Sequence, residues 1–139
     1  FIWVDSNLEL KMTGKEILDY FGRASCGVHS HPERETINQE IAICTKRQLD
    51  YVDALEYHRD GENRLAACNL IVRQNHEVIN CLSEKWWAQI CAGSSRDQLS
   101  FPYTLGRIAE YKECPTLEYW RDNPVYRMYN HQGVNTVYR

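Results

Sequence analysis

Hydrophobic and polar positions along the chain follow two periods, one typical of strands and one typical of helices. An apolar run over residues 1–4 predicts a buried strand that ends at Asp5. Apolar and polar residues alternate over residues 8–12, which predicts a second, short strand. Residues 25–30 are expected to form a strand and a loop, and the apolar run over residues 68–73 predicts another strand.

Helical spacing of apolar residues occurs between these strands. Thr13 and Glu16 form a T-x-x-E capping box, which predicts a helix that ends near Gly22. The next helix is expected to carry Pro32 in its first turn, because a proline there loses no hydrogen bond. Its apolar positions are Ile37, Ile41 and Cys44, continued by Val52 and Leu55 up to a turn at Asp60 and Gly61.

Two more helices are predicted in the second half of the chain. The first has apolar residues every four positions, at Val78, Leu82, Trp86 and Ile90, and ends at Gly93. Ser95 and Gln98 form a capping box that opens another helix, through about Ile108. After Cys114 we expect mostly loop, with a short helix around residues 117–121. This order of strands and helices predicts an α/β fold.

Length and charge narrow the class of protein. The 139 residues suit one domain, and the formal net charge of −3 argues against a nucleic-acid-binding protein, which would carry a basic surface. No apolar run reaches the ~18 residues of a membrane span, and no signal-peptide pattern opens the chain. The chain starts at Phe1 inside an apolar run, so we expect an upstream half to be missing from this fragment.

Cysteine usage favours a reducing compartment. There are six cysteines and no C-x-x-C pair, so a compact zinc ribbon is not expected. An even count would allow disulfides in a secreted protein. Because Cys44, Cys81 and Cys91 fall on predicted helix faces, we expect buried free thiols instead.

Two carboxylates stand at positions where an α/β fold presents side chains to a ligand. Asp5 ends a buried strand, where open sheets bind ligands, and it could hold a divalent cation and a diphosphate. A strand-capping turn also explains Asp5. Asp97 lies in the first turn of a helix, whose dipole favours its ionised form, so it could deprotonate a hydroxyl. Ordinary helix-start chemistry also explains Asp97.

Several histidines and an arginine are further candidates. His131 could complete a metal shell begun by Asp5, or it could lie on the surface. His29 and His31 have a spacing that allows zinc binding, although no third ligand is near them in sequence. Arg34 could pair with a phosphate, and a solvated loop explains all three residues of this segment.

The segment after the strand at residues 68–73 offers another set. Arg73, Asn75 and His76 follow the strand end, which suits substrate binding and also a plain β-to-α turn. Trp86 lies on the apolar stripe and is expected in the core. Trp87 lies off that stripe and could face a sugar or a neighbouring element.

Taken together, these segments resemble one family, the DUF616 group, or TOD1/MUCI70-like glycosyltransferase domain, of plants and bacteria. The resemblance covers most of residues 1–105, and SSRDQLSFPY is its most specific part. The segments, in chain order, are FIWVDSNLELK, HPER followed by INQEIA, NLIVRQNH, KWWAQICAGSSRDQLSFPY and YNHQG.

The resemblance implies a fold and a reaction. The fold would be GT-A-like, a Rossmann-like mixed sheet flanked by helices with its N-terminal half missing. Residues 1–110 would be the catalytic-side part of this domain and residues 111–139 its C-terminal extension. The reaction would transfer a sugar from a nucleotide-sugar donor to a saccharide or glycoconjugate acceptor, with Mn²⁺ or Mg²⁺ as cofactor.

The resemblance also assigns roles to residues. Asp5 stands where GT-A enzymes keep an acidic motif for metal and diphosphate, Asp97 is the candidate for acceptor activation, and His131 is similar in placement to a C-terminal metal ligand. The chain departs from a full Asp-x-Asp motif at Asn7, which puts metal dependence in question. From the positions of the residues, we expect Asp5, Asn7, Arg73 and Arg96 to bind the donor, and His31, Arg34, His76 and Trp87 to bind substrate.

Three functions are therefore compared. The first is a glycosyltransferase in which Asp97 is the base and Arg73 and Arg96 neutralise phosphate or orient Asp97. The second is a catalytically inactive carbohydrate-binding or interaction domain on the same scaffold. The third is a metal-dependent hydrolase that uses Asp5, His29 and His31, which requires those three side chains to lie together. The expected compartment is the bacterial cytoplasm, or the Golgi lumen for a plant protein.

Overall fold

The computed structural model describes residues 1–22, 25–47, 64–94, 96–105 and 122–129. Within these ranges the chain forms five strands and four helices. In chain order they are β1 (Ile2–Val4), β2 (Leu8–Leu10), α1 (Gly14–Tyr20), β3 (Cys26–Ser30), α2 (Ile37–Arg47), β4 (Ala66–Arg73), α3 (Glu77–Ala92), α4 (Asp97–Leu105) and β5 (Tyr126–Met128).

The strands form two small sheets, and every described strand pair is antiparallel. The larger sheet has the order β1-β4-β3, and the smaller sheet pairs β2 with β5. The central strand β4 is an almost continuous apolar run that is buried along its length, as expected for a strand covered on both faces. The mixed α/β class is therefore confirmed, whereas the parallel pairing typical of a Rossmann-like sheet is not seen in the described ranges.

Both faces of the larger sheet are covered by apolar clusters. On one face, residues of β3 and β4 pack against Ile79 and Leu82 of α3 and Phe101 of α4. On the other face, residues of β4 pack against Ile17 of α1 and Tyr126 of β5. A third cluster holds α2 against α4. Burial of these side chains fixes the helices relative to the sheet.

Most predicted elements within the described ranges are confirmed. The Thr13–Glu16 capping box is present with both reciprocal hydrogen bonds, and α1 is followed by Gly22 at φ 62°. The predicted apolar face of α2 is buried, and α3 ends at Gly93 as expected. Trp86 packs on the core beside Phe101, at a ring-centroid distance of 4.7 Å.

Two predictions about element boundaries are wrong. Pro32 does not lie in a helix, because α2 begins at Ile37, after a Thr36-x-x-Gln39 pair whose side chains bond nearby backbone N–H groups. Residues 126–128 form strand β5 rather than loop, because they pair with β2 across more than a hundred residues of chain. Pairing between segments so far apart in the sequence leaves no recognisable pattern within three residues.

Other predictions fall outside the described residues. These concern Val52, Leu55, the turn at residues 60–61, Ser95, Ile108, Cys114 and the helix at residues 117–121. The five cysteines within the described ranges form no disulfide with one another, and Cys26, Cys44 and Cys68 are buried. Cys81 is half-buried and Cys91 is exposed, so the prediction of a buried thiol is wrong at Cys91.

A close backbone approach at Gly27 provides a test of this packing. A Cβ atom at Gly27 would lie too close to Cδ1 of the buried Phe21 ring, so Gly27→Ala must displace that ring or β3. We expect Gly27→Ala to lower the free energy of unfolding by about 1–3 kcal/mol, as overpacking does. Urea denaturation would measure the change.

The matched control is Gly14→Ala, at the first residue of α1. A Cβ atom there would lie 3.6 Å from Cδ1 of Ile2, which is an ordinary contact. This substitution should leave stability unchanged or raise it by up to about 1 kcal/mol, because alanine restricts the unfolded chain. Equal stabilities of the two variants would contradict the described contact between Gly27 and Phe21.

Candidate functional site

Strands β1 and β3 each end at a predicted site residue, Asp5 after β1 and His31 after β3. Because both strands are antiparallel to β4, they run in the same direction, and β3 ends beside the beginning of β4 whereas β1 ends beside its middle. The Asp5 N–H donates to the Asn69 carbonyl at 3.0 Å, and the His31 N–H donates to the Leu65 carbonyl at 2.8 Å. We call the region around Asp5, His31 and Leu65 the carboxyl edge.

Helix α3 returns the chain to the carboxyl edge. It has 16 residues and is therefore about 24 Å long, close to the length of about 26 Å that the 8 residues of β4 span. The helix starts beyond Arg73, at the opposite edge, and the chain that follows it reaches Arg96 and Asp97. Arg96 contacts Glu40, which lies on α2 after β3. The chain that follows α3 therefore lies close to the segment that follows β3.

Glu40 is the centre of the charged network at the carboxyl edge. It lies on α2 with a side chain that is 0% exposed. Arg96 donates to Glu40 Oε1 from Nη2 at 2.5 Å and from Nε at 3.2 Å. Arg34 Nε lies 2.6 Å from Glu40 Oε2 as an ion pair. One buried carboxylate thus links the β3–α2 loop to the segment that begins α4.

Sequence reasoning missed Glu40, although the sequence carries a signal for it. Glu40 falls on the same helical face as Ile37, Ile41 and Cys44, all of which are buried. A carboxylate on an apolar stripe needs a buried partner, because a lone buried charge is strongly unfavourable. The helical spacing alone therefore indicates that a cationic side chain from elsewhere in the chain pairs with Glu40.

Asp97 is the first residue of α4 and its side chain is half-buried. Its Oδ1 accepts a hydrogen bond from the Gln98 N–H at 2.8 Å. Burial raises the pKa of the Asp97 carboxyl, and the negative charge of Glu40 adds to that rise, while the Gln98 N–H and the Arg96 charge oppose it. Such a carboxyl holds a proton more readily than an exposed one.

The charges of Asp5 and Asp97 both affect the pKa of one buried thiol of β4, that of Cys68. Burial raises the pKa of the Cys68 thiol well above its ordinary value, and the charges of Asp97 and Asp5 raise it further. The two carboxylates therefore lie within electrostatic range of the same point of the central strand. That they also face one cleft stays a prediction.

The loop after β3 holds His31 in a fixed orientation. His31 Nδ1 accepts hydrogen bonds from the backbone N–H groups of Glu33 and Arg34, each at 3.1 Å. Arg34 Nη2 lies 2.8 Å from His31 Nε2. Burial lowers the pKa of the His31 imidazole, and the Arg34 charge lowers it further, while the charges of Glu40 and Glu33 oppose this change.

The antiparallel sheet separates the remaining candidates from this set. Arg73 ends β4 and His76 precedes α3, so both lie toward the end of β4 that is opposite His31. Arg73 Nη1 donates to Ser83 Oγ at 2.9 Å, a contact that joins β4 to α3. Trp87 is 66% exposed on α3. The roles assigned to these three residues stay predictions.

Two of the hypotheses place a metal ion in this chain, one at Asp5, His29 and His31 and the other at Asp5 and His131. Within the described residues, no three His, Cys, Asp or Glu side chains lie together in a way that could hold a metal ion. The hydrolase hypothesis is therefore wrong, because Asp5, His29 and His31 do not form a cluster. His29 instead lies buried among aromatic rings, 5.2 Å from the Phe21 ring centroid, and its burial lowers the pKa of the imidazole to about 4.

Asn7 and His131 are the candidate ligands, besides Asp5, of the predicted cation. The Asn7 side-chain nitrogen donates to the Tyr129 carbonyl at 2.9 Å, while its Oδ1 is inaccessible to solvent and accepts no hydrogen bond from the residues that the structure describes. An oriented amide oxygen of this kind fits a hard cation. His131 lies outside the described residues.

Comparison with known proteins identifies one family. The family model described as TOD1/MUCI70, glycosyltransferase-like domain, matches residues 1–131. No curated protein and no solved structure matches the chain. Among the helices in the described ranges, none combines the length and hydropathy that crossing a membrane requires.

The Glu40 network makes a prediction for stability. Glu40→Gln would leave Arg34 and Arg96 without their shared carboxylate. We expect a loss of about 3 kcal/mol in the free energy of unfolding, the low end for breaking a buried ion pair, because both arginines keep some contact with water. Urea denaturation would measure the loss.

Glu33→Gln is the matched control, since Glu33 also pairs with Arg34 but is 62% exposed. Its effect should stay within about 0.5 kcal/mol, as is usual for an exposed position. Equal losses in the two variants would mean that Glu40 does not organise the carboxyl edge.

Proposed function

The chain belongs to the TOD1/MUCI70 glycosyltransferase-like family, and we propose that it transfers a sugar from a nucleotide-sugar donor to an acceptor hydroxyl. The observation that carries this proposal is Asp97, a half-buried carboxylate with a raised pKa, placed beside the buried Glu40–Arg96 pair. A GT-A-type arrangement of the whole domain is part of the proposal, supported by family membership and by the carboxyl edge.

Asp97 is proposed to be the general base of an inverting transfer. A base must ionise at working pH and still have enough proton affinity to accept a hydrogen from the attacking hydroxyl. Burial provides this affinity by raising the pKa of Asp97. Its position at the start of α4 supports the ionised form through the helix dipole. The proton would move from the acceptor hydroxyl to Oδ1 or Oδ2 of Asp97 as the new glycosidic bond forms.

Arg96 is proposed to orient Asp97 rather than to bind phosphate. Its guanidinium is already held by Glu40 Oε1 and by Gln98 Oε1, the latter at 2.8 Å from Nη2. Its positive charge also moderates the rise in the pKa of Asp97. Both contacts fix the start of α4, so Arg96 and Glu40 are positioning residues in this scheme.

Asp5 and Asn7 are proposed to hold Mn²⁺ or Mg²⁺ together with the donor phosphates. A bound cation would neutralise charge on the leaving diphosphate. The unpartnered Oδ1 of Asn7 supports this role. One carboxylate and one amide oxygen make an incomplete shell for a cation, so phosphate oxygens must supply further ligands. His131 remains a predicted third protein ligand.

The base is tested by Asp97→Asn, with turnover measured against a panel of nucleotide sugars. We expect a loss of at least about 100-fold in kcat, the usual contribution of a general base. The acid limb of the wild-type pH profile should lie above the ordinary Asp pKa of 3.8, because burial raises the pKa of Asp97. Activity falls as pH drops through that pKa, since protonation removes the base.

Stability provides the control for this variant. A carboxyl whose pKa is raised by folding destabilises the native state at pH values above that pKa. Asp97→Asn should therefore have an equal or higher Tm than the wild type at pH 7, while an inactive but unfolded variant would have a lower one. Unchanged turnover in Asp97→Asn would remove Asp97 from the mechanism. Sugar binding without turnover by wild-type protein would favour the inactive binding domain.

Cation binding is tested by Asn7→Asp in thermal-shift measurements with Mn²⁺. Wild-type protein should be stabilised by Mn²⁺ only when a nucleoside diphosphate is present, because Asp5 and Asn7 carry a single charge between them. Asn7→Asp adds a second carboxylate and should be stabilised by Mn²⁺ alone. The control, Asn75→Asp, lies at the opposite edge and is exposed, so it should behave as the wild type. An Mn²⁺ response identical in all three proteins would contradict the site.

A further inference from the structure

His29 lies on β3 at the point where two other elements meet the larger sheet, and only 3% of the residue is exposed. Its imidazole centroid lies 6.1 Å and 5.2 Å from the ring centroids of Tyr20 and Phe21 at the end of α1. The Tyr126 ring of β5 lies 6.0 Å from it. Helix α1, β3 and β5 are therefore packed together around this one ring.

The packing around His29 leaves both of its ring nitrogens unsatisfied. Nδ1 and Nε2 are inaccessible to solvent and have no hydrogen-bond partner among the residues that the structure describes. A neutral imidazole loses one donor contact and one acceptor contact with water in such a place. An imidazolium would bury two donors and an unpaired charge, at a much higher cost in free energy. The site therefore accepts the neutral ring and disfavours the protonated one.

The described groups that face His29 do not compensate a positive charge. From α1 and β5 these are the phenol rings of Tyr20 and Tyr126, and burial raises the pKa of Tyr126, so its hydroxyl carries no charge in acid. The thiols of Cys26 and Cys68 belong to the cluster on the other face of the sheet. Burial lowers the pKa of His29 to about 4, and no charge of the described residues adds to this effect or opposes it.

We propose that His29 is an acid-sensitive joint between β3, α1 and β5, and that protonation of its ring drives these elements apart. An imidazolium must reach water, which requires the rings of Phe21 and Tyr126 to move away from it. Movement of β5 also affects its partner β2 and the adjacent Asn7, whose side chain bonds the Tyr129 carbonyl. The joint does not depend on the proposed sugar transfer.

The direction of the pH effect follows from proton binding in the two states. In the unfolded chain His29 binds a proton near its ordinary pKa of 6.5, whereas in the folded chain its pKa is about 4. Between these values the unfolded state holds more protons, so the stability linked to His29 is fully present above pH 6.5 and is lost as pH falls toward 4. The folding equilibrium constant should fall by up to about tenfold per pH unit in this window.

The first test is urea denaturation of the whole chain between about pH 7.5 and pH 5, on the wild type and on His29→Phe. Phenylalanine keeps an aromatic ring at this position and binds no proton. The folding constant of His29→Phe relative to that of the wild type should therefore rise by about tenfold for each pH unit below about 6. The control is His76→Gln, which removes a half-buried histidine that makes no capping hydrogen bond and should keep the wild-type pH dependence. The same pH dependence in His29→Phe and in the wild type would overturn the joint.

Amide hydrogen exchange of the wild type tests the movement itself and does not require a folded variant. The amides of residues 17–21 and 126–128 should lose protection as pH falls from about 7 to about 5, after correction for the intrinsic pH dependence of exchange. The amides of residues 79–82 in α3, which packs on the other face of the sheet, should stay more protected at the lower pH. Equal protection of the two sets in acid, or protection of the first set that does not change with pH, would contradict an opening at His29.

Discussion

The carboxyl edge depends on one buried carboxylate, Glu40, held between Arg34 and Arg96. Burying a charge is costly unless it is paired, so the two arginines must occupy their places for α2 to pack. This requirement ties the loop after β3 and helix α2 to the start of α4, which follows them in the chain only after β4 and α3. A conventional apolar residue at position 40 would fill the core and would not fix these segments relative to one another.

The same network holds the start of α4 in place. Arg96 is held by Glu40 and Gln98, and its backbone leads directly into Asp97 at the start of α4. Asp97 is thereby kept half-buried, where desolvation raises its pKa and the nearby Arg96 charge limits the rise. On the other side of Glu40, Arg34 contacts His31. The proposed base and the loop after β3 are thus anchored to one buried group, Glu40.

Local sequence signals accounted for most helices and strands within the described ranges. The capping box at Thr13 and the spacing that places Ile37, Ile41 and Cys44 on one face were enough to place α1 and the buried face of α2. The prediction for Pro32 failed because the capping pair that begins α2 comes four residues later, at Thr36. Strand β5 could not be found locally, because three residues become a strand only by pairing with β2.

The sequence by itself determined which side chains are available: Asp5 at a strand end, Asp97 at a helix start, and His31 and Arg34 in a polar loop. These follow from spacing and capping, which act over a few residues. Tertiary structure alone decided which of them meet. Antiparallel pairing sent Arg73 and His76 to the opposite edge, and the return of α3 brought Arg96 to Glu40. The reason is physical: strand direction and buried ion pairs are settled by contacts between distant segments, which no local pattern encodes.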